Sequence, residues 1–202
     1  MVCADLVSRD DISKRQECPR GAHWPYQLRE LSLLSATLAS VLLAAIFTTG
    51  AAGGRVVVTN SIPRGLYWTS NESISRGSIA GGCLPLKVVR SLIAKRYALH
   101  GNCPGHVLPY FKYVAAVAGD TVIESSNGIL INGRFWPRSR PLSRDSNGAP
   151  LIWTSHKYIV NRGQVLLLGS NPRSYDGRYF GAVPLAGMTS MQPVLVEPYA
   201  FQ

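Results

Sequence analysis

Apolar positions run unbroken through only one long stretch of the chain. Residues 31–54 carry no charge, and Leu33, Leu34, Leu38, Val41, Leu42 and Phe47 supply much of their apolar weight. As a helix, 31–52 would span ~33 Å, about one hydrocarbon core. Six Ser/Thr residues dilute the run, but their hydroxyls can bond to carbonyls one turn back. The length argues against a buried helix of a soluble domain. The small residues Gly50 to Gly53 would suit a signal-peptide cleavage site, yet the 30 residues ahead make a long leader. The pattern therefore predicts an uncleaved anchor over 31–52, a cytoplasmic tail over 1–30 and an exported domain over 53–202.

Beyond the anchor the pattern shifts to short runs separated by turn residues. Strands are predicted over 55–60, 75–86 (broken at Gly81-Gly82), 110–118, 121–125, 129–131, 134–136, 151–160, 164–168 and 183–196. Asn127-Gly128 and Asn132-Gly133 are hairpin turns. One segment differs: Leu86, Val89, Leu92, Ile93 and Tyr97 recur at helical spacing with basic residues between them, predicting an amphipathic helix over 86–100. The fold class is mainly β, with one N-terminal transmembrane helix and a short inserted helix.

Charge changes the picture in one respect. Residues 1–52 hold five Lys/Arg and five Asp/Glu, so the whole net charge of +10 falls on the remainder. No helix with ordered basic spacing and no RNA-binding aromatic signature accompanies it, which argues against nucleic acid. A membrane lipid surface and a merely solvated basic face remain as readings.

Three segments offer chemistry. The first is 59–68, where Ser61 sits ahead of Pro63 and Gly65. Pro63 fixes its own φ and restricts Ile62, so the serine would stand on a stiff turn. The second is 110–120, where Lys112 heads an apolar strand that ends in Gly119-Asp120. If buried, its amine would lose its proton more easily and could act as a base near neutral pH. The third is the polar loop 169–181, with an Asp176/Arg178 pair. Cys83 and Cys103 bracket the inserted helix. They could form a disulfide in an oxidising compartment or join His100 and His106 around a metal, a spacing that matches no common zinc pattern. Cys3 and Cys18 would lie reduced in the tail.

This order of segments resembles the signal peptidase I superfamily of membrane-anchored serine–lysine proteases. The Ser-x-Pro-x-Gly-x-Tyr of 61–67 is closer to its conjugative-transfer (TraF-type) branch, and the Cys83/Cys103 bracket, with Cys103-Pro104-Gly105, is similar to that branch. The resemblance covers about 30–196. It implies Ser61 as nucleophile and Lys112 as general base. It implies an oxyanion hole from Thr59 and the Ser61 N–H, and Ser174 orienting the lysine. Asp176 is implied as an important carboxylate, with the structural pair to Arg178 left open beside a catalytic role. Tyr113, Ala118, Ser170, Ser78 and Ala80 depart from the pattern of general signal peptidases.

The expected activity is a serine endopeptidase without cofactor or metal, single-pass in a bacterial inner membrane, with its catalytic domain in the periplasm. Its partner would be an exported, pilin-like precursor with small residues at the cleavage site. The resemblance allows hydrolysis or cyclisation of the product. The alternatives are a general signal peptidase I and a non-catalytic scaffold of a transfer apparatus.

Overall fold

The computed structural model describes residues 26–198; the readings of Cys3, Cys18 and the rest of 1–25 lie outside them. The chain divides into two compact units, one ending at Thr48 and the other beginning at Thr49.

The first unit is dominated by helix α1, Tyr26–Ala51. Its stretch Glu30–Ala51 is long and apolar enough to cross a membrane. Leu38, Val41 and Phe47 are exposed along it. Its hydroxyls are satisfied internally, as the pattern predicts: Thr37 donates to the Leu34 carbonyl (2.8 Å) and Ser40 to that of Ala36 (2.8 Å). A helix that hides its own polar groups this way meets the demand of a lipid solvent.

The second unit is mostly β. A seven-stranded sheet has the order β1-β2-β12-β3-β5-β10-β11, and a four-stranded sheet the order β8-β7-β6-β9. The strands are β1 Gly54–Val57, β2 Gly65–Ser70, β3 Ile79–Gly82, β4 His100–Cys103, β5 Tyr110–Val117, β6 Thr121–Ser125, β7 Gly128–Ile131, β8 Arg134–Phe135, β9 His156–Ile159, β10 Gln164–Leu168, β11 Val183–Pro184 and β12 Met188–Val196. The short helices are α2, Leu86–Ala94, and α3, Gly177–Phe180. β5 and β10 pair antiparallel and are covered on both faces. Val114 and Leu167 join one core with Val89 and Leu92 of α2, while Ala116, Leu166 and Leu168 join another with Val122 and Ile129 of the second sheet. That double coverage is why 113–117 and 165–168 read as continuous apolar runs rather than alternations. Asp120 ties the turn after β5, accepting from the Val117 N–H (2.9 Å), Asn132 (2.8 Å) and Arg76. Burial works against its charge, but these bonds outweigh it and hold the carboxyl below its usual range.

Several elements differ from expectation. The sequence pattern does not predict β2 or β4, and the strand over 183–196 divides into β11 and β12 at a turn closed by the Met188 N–H on the Leu185 carbonyl (3.0 Å). The strand predicted over 55–60 stops at Val57, because β1 pairs β2 only from Gly54↔Trp68 to Val57↔Gly65 and the chain must turn between. Gly81 and Gly82 do not break β3; they are part of it. A Cβ on Gly81 would lie 2.4 Å from the Phe111 ring, so this glycine answers to packing, not to a turn. Helix α2 ends at Ala94 instead of reaching His100. Arg96 takes a left-handed φ of 57°, and Tyr97 N–H closes back on the Leu92 carbonyl (2.9 Å), a cap that sequence spacing does not reveal. The strand over 151–160 shrinks to β9, since its last partner on β6 is Glu124 opposite His156. Loop 169–181 contains α3, capped by the Asp176 carboxylate.

Candidate active site

Ser61 lies in the connection between β1 and β2, which is fixed from several sides. Ile62 is buried below it with Val57, Tyr67, Ile79 and Met191. The Tyr67 hydroxyl donates to the Pro63 carbonyl (2.7 Å), and Arg64 Nε to Asn60 Oδ1 (2.6 Å). Gly65 has φ of 145° and backs onto β12; a Cβ there would fall 2.1 Å from the Leu195 carbonyl oxygen. Glycine is thus required both for conformation and for space. The Ser61 carbonyl accepts from the Ser170 N–H (2.9 Å) and from the Ser170 hydroxyl (3.1 Å). No acceptor faces the Ser61 N–H among the described hydrogen bonds. Thr59 is exposed and lines the same cavity as Ser61.

The loop after β10 supplies the second wall. Asp176 and Arg178 form a bidentate ion pair, Nε to Oδ1 and Nη2 to Oδ2 at 2.8 Å each. Asp176 is fully buried and Arg178 nearly so. The carboxylate also accepts from the Gly169 N–H (2.8 Å) and the Arg178 N–H (3.2 Å). The guanidinium reaches the carbonyls of Arg138 (3.0 Å), Pro172 (2.9 Å) and Asn171 (3.0 Å). The pair thus ties Gly169, Asn171 and Pro172 of the loop, and Arg138 from outside it, to one point. This holds Ser170 against Ser61 and sets the Ser174 hydroxyl 3.4 Å from the Ser61 hydroxyl.

Lys112 is 4% exposed, in the middle of the sheet opposite Ala80 of β3. Burial lowers its amine to about 7, Asp176 pulling it up and Arg178 down. Its hydrogen bond goes to the Phe111 carbonyl (3.3 Å), and Nζ lies 3.8 Å from the centroid of the Tyr110 ring. Ser61 and Lys112 line one cavity of about 320 Å³, together with Val57, Leu92, Leu108 and Tyr175. The hydroxyl of Ser174 meets Ser61, whereas the resemblance implies contact with the lysine amine. The sequence reading missed Tyr110 beneath the amine and the two hydrogen bonds that Ser170, noted there only as a departure, donates to the Ser61 carbonyl.

Cys83 and Cys103 form a disulfide with Cα atoms 5.4 Å apart, clipping the α2 segment to β4. With both sulfurs joined, the set proposed for a metal reduces to the stacked rings of His100 and His106. Among the described residues, no group of three or more His, Cys, Asp or Glu is placed to hold a metal ion.

The signal peptidase, peptidase S26 family matches residues 31–194. The plasmid transfer protein TraF of Escherichia coli is 38% identical over 159 residues, 75% of this chain and 90% of that protein. The probable conjugal transfer protein TraF of Sinorhizobium fredii (strain NBRC 101917 / NGR234) is 35% identical over 162 residues, 76% of this chain and 84% of that one. A crystal structure of a signal peptidase I from Enterococcus faecalis V583 is 22% identical and covers 63% of this chain and 100% of its own, at a TM-score of 0.35, too loose to carry an argument. The match runs from the apolar helix through the serine turn, the lysine strand and the late loop, and the chain belongs to the signal peptidase, peptidase S26 family.

Proposed function

We propose that this chain is a membrane-anchored serine endopeptidase of conjugative transfer, with Ser61 as nucleophile and Lys112 as general base. The observation that carries the reading is the buried Lys112 amine, brought to about 7, in the cavity that Ser61 lines. A serine hydroxyl needs a neighbour to take its proton. An uncharged amine can do so without a His/Asp pair. No described hydrogen bond joins the two groups: Nζ bonds to the Phe111 carbonyl and the Ser61 hydroxyl to that of Ser174, so the reading requires Nζ and Oγ to come within hydrogen-bond reach when substrate binds. Ser61 Oγ would then attack the scissile carbonyl as its proton passes to Nζ. The oxyanion would be met by the Ser61 N–H and the Thr59 hydroxyl, each such donor contributing about 3 kcal/mol. Collapse expels the new amine, which takes the proton back from Lys112. The acyl-enzyme is then resolved by water, or by an amine of the substrate to close a ring. Asp176, saturated by Arg178 and two backbone N–H groups, serves in this reading as the support of the loop, not as a proton carrier.

The substrate would be an exported, pilin-like precursor cut beside small residues. The relatives named for conjugal transfer favour this over a general secretory role. Residues 1–30 would be cytoplasmic, 31–52 would span the inner membrane and 53–202 would face the periplasm. The test is processing of the pilin precursor of the same transfer system in cells carrying Ser61→Ala or Lys112→Ala. Either substitution is expected to reduce processing by about 10³-fold or more. Normal processing by both would leave only a scaffold. A reporter fused after Gln202 should be active outside the cytoplasm alone.

A further inference from the structure

We propose that Tyr110 is a positioning residue for the base: its ring face holds the Lys112 amine and stabilises the ammonium formed when that amine takes a proton. The inference rests on the reading of Lys112 as general base. Its ground is geometric. Nζ lies 3.8 Å from the ring centroid, within the range of a cation–π contact, and its one described hydrogen bond is a 3.3 Å bond to the adjacent carbonyl. An ammonium made in this place needs a stabilising partner. Two charged groups act on the amine, Asp176 and Arg178, both from the loop after β10. They oppose one another, because the carboxylate favours the proton and the guanidinium disfavours it. The flanking strands offer no other charge: β3 places Ala80 opposite, and β10 places Leu167 and Leu168 beside the next residues of β5. Arg55 of β1 lines the same cavity, but it is a cation, bonded to the Gly50 and Gly54 carbonyls, and cannot stabilise an ammonium. The electron-rich ring face is what remains.

The ring is held for the task. Phe180 packs on Tyr110 edge to face, with centroids 6.2 Å apart. The phenol donates to the Tyr175 carbonyl, next in sequence to Ser174. Burial pushes this phenol well above its ordinary value, so it remains a neutral donor across the working pH range. Tyr110 therefore joins the lysine strand to the loop carrying Ser174 by its hydroxyl, and touches the amine by its ring. The two duties can be separated. Phenylalanine keeps the ring and loses the tie; fluorinated phenylalanine keeps shape and burial while draining the ring face of negative charge.

The experiment uses the full chain in detergent micelles, labelled with ¹³C at lysine Cε. With five lysines in the sequence, the resonance of Lys112 is assigned by its loss in Lys112→Met. Its titration is followed in the wild type, in Tyr110→Phe and with 3,4,5-trifluorophenylalanine at position 110, alongside the pH profile of kcat/KM on a precursor peptide. Tyr110→Phe should leave the Lys112 midpoint within about 0.3 unit. The fluorinated ring should lower it by about one unit and carry the acid limb of kcat/KM down with it. A midpoint that does not move across the series overturns the role of Tyr110 and leaves the base assignment standing. Processing by Lys112→Ala would overturn the base assignment itself, and the role of Tyr110 with it.

Discussion

The loop after β10 and the head of β5 each bury a basic side chain, Arg178 at 2% and Lys112 at 4% exposure, and they treat it in opposite ways. Arg178 is given a bidentate carboxylate and several carbonyls. Burial alone would weaken its charge, but Asp176 outweighs that and pushes it above its ordinary value. Lys112 receives one carbonyl and an aromatic face, and burial prevails. The difference follows from the groups. A guanidinium is planar and permanently charged, so its fork can organise a loop. An ammonium is compact and gives up its proton when desolvated. One region is built to stay as it is, and the other is left chemically unsettled in a cavity that Ser61 also lines.

That contrast is most directly broken at the saturated end. Arg178→Met would leave the fully buried Asp176 without its partner and several loop carbonyls without donors. It should cost about 3–5 kcal/mol in urea denaturation, and processing should fall as Ser170 and Ser174 lose their places. Arg178→Lys should rescue little, because one point charge cannot replace a fork. A mild effect of both would show that the loop does not depend on the pair.

The opposite sign is expected at Lys112. The unfolded chain keeps this amine protonated up to about 10.4, whereas the folded chain does so only below about 7. Between these values the unfolded state binds more protons, so stability rises with pH through that window. Below about 7 the full cost of burying the amine is present. Lys112→Met should remove it, stabilising the fold by a few kcal/mol at pH 6 and by progressively less towards pH 10, while abolishing processing. A variant less stable than wild type at every pH would sink the idea that the lysine is held against its own solvation. In the active enzyme the same ionisation should appear as a rise of kcat/KM with pH through about 7.

Much of this was readable in the residues. The long apolar helix, the β-rich class and the continuous apolar runs of β5 and β10 follow from the hydrophobic pattern, those runs because both faces of the strands are buried. The disulfide was expected over a metal site whose spacing matches no common zinc pattern, and Cys83 and Cys103 are joined. Other features depend on partners distant in sequence. Gly81 looked like a breaker because a string of residues cannot display the Phe111 ring lying over it. The end of α2 at Arg96 needed a left-handed residue that is not glycine. The site divides in the same way. Ser61, Lys112 and Asp176 could be singled out from local motifs. The hold of Ser170 on the Ser61 carbonyl and of Tyr110 on the amine are contacts between segments, with no local signature.

Reduction of Cys83–Cys103 probes the wall of the cavity instead of the two buried cations. The loop it closes spans a sequence separation of 20 residues, so in the chain-entropy account it contributes ~3 kcal/mol. Because α2 lends Val89 and Leu92 to the cavity, reduction should raise KM more than it lowers kcat. Equal effects on both would place the disulfide's influence on the chemistry itself.

The smallest effect is expected at Glu124, the third buried ionisable group worth setting beside the two cations. It sits on β6, accepts from Tyr158 (3.1 Å) and lies 3.7 Å from His156. Burial raises its carboxyl, with His156 and Tyr158 pulling it back down. A raised folded value means that the native state binds more protons than the unfolded one just above the ordinary carboxylate range. Stability is therefore lost as pH rises through that window. Glu124→Gln can still accept from Tyr158, so it should stabilise by about 1 kcal/mol or less at neutral pH, with the gap closing below about pH 4. Processing should stay unchanged, because none of the residues proposed to act in the reaction lies on the second sheet. That outcome would separate burial from use: in the proposed reading, a desolvated ionisable group acquires a role only where Ser61 shares its cavity. A loss of processing with the fold intact would instead tie the second sheet to the reaction.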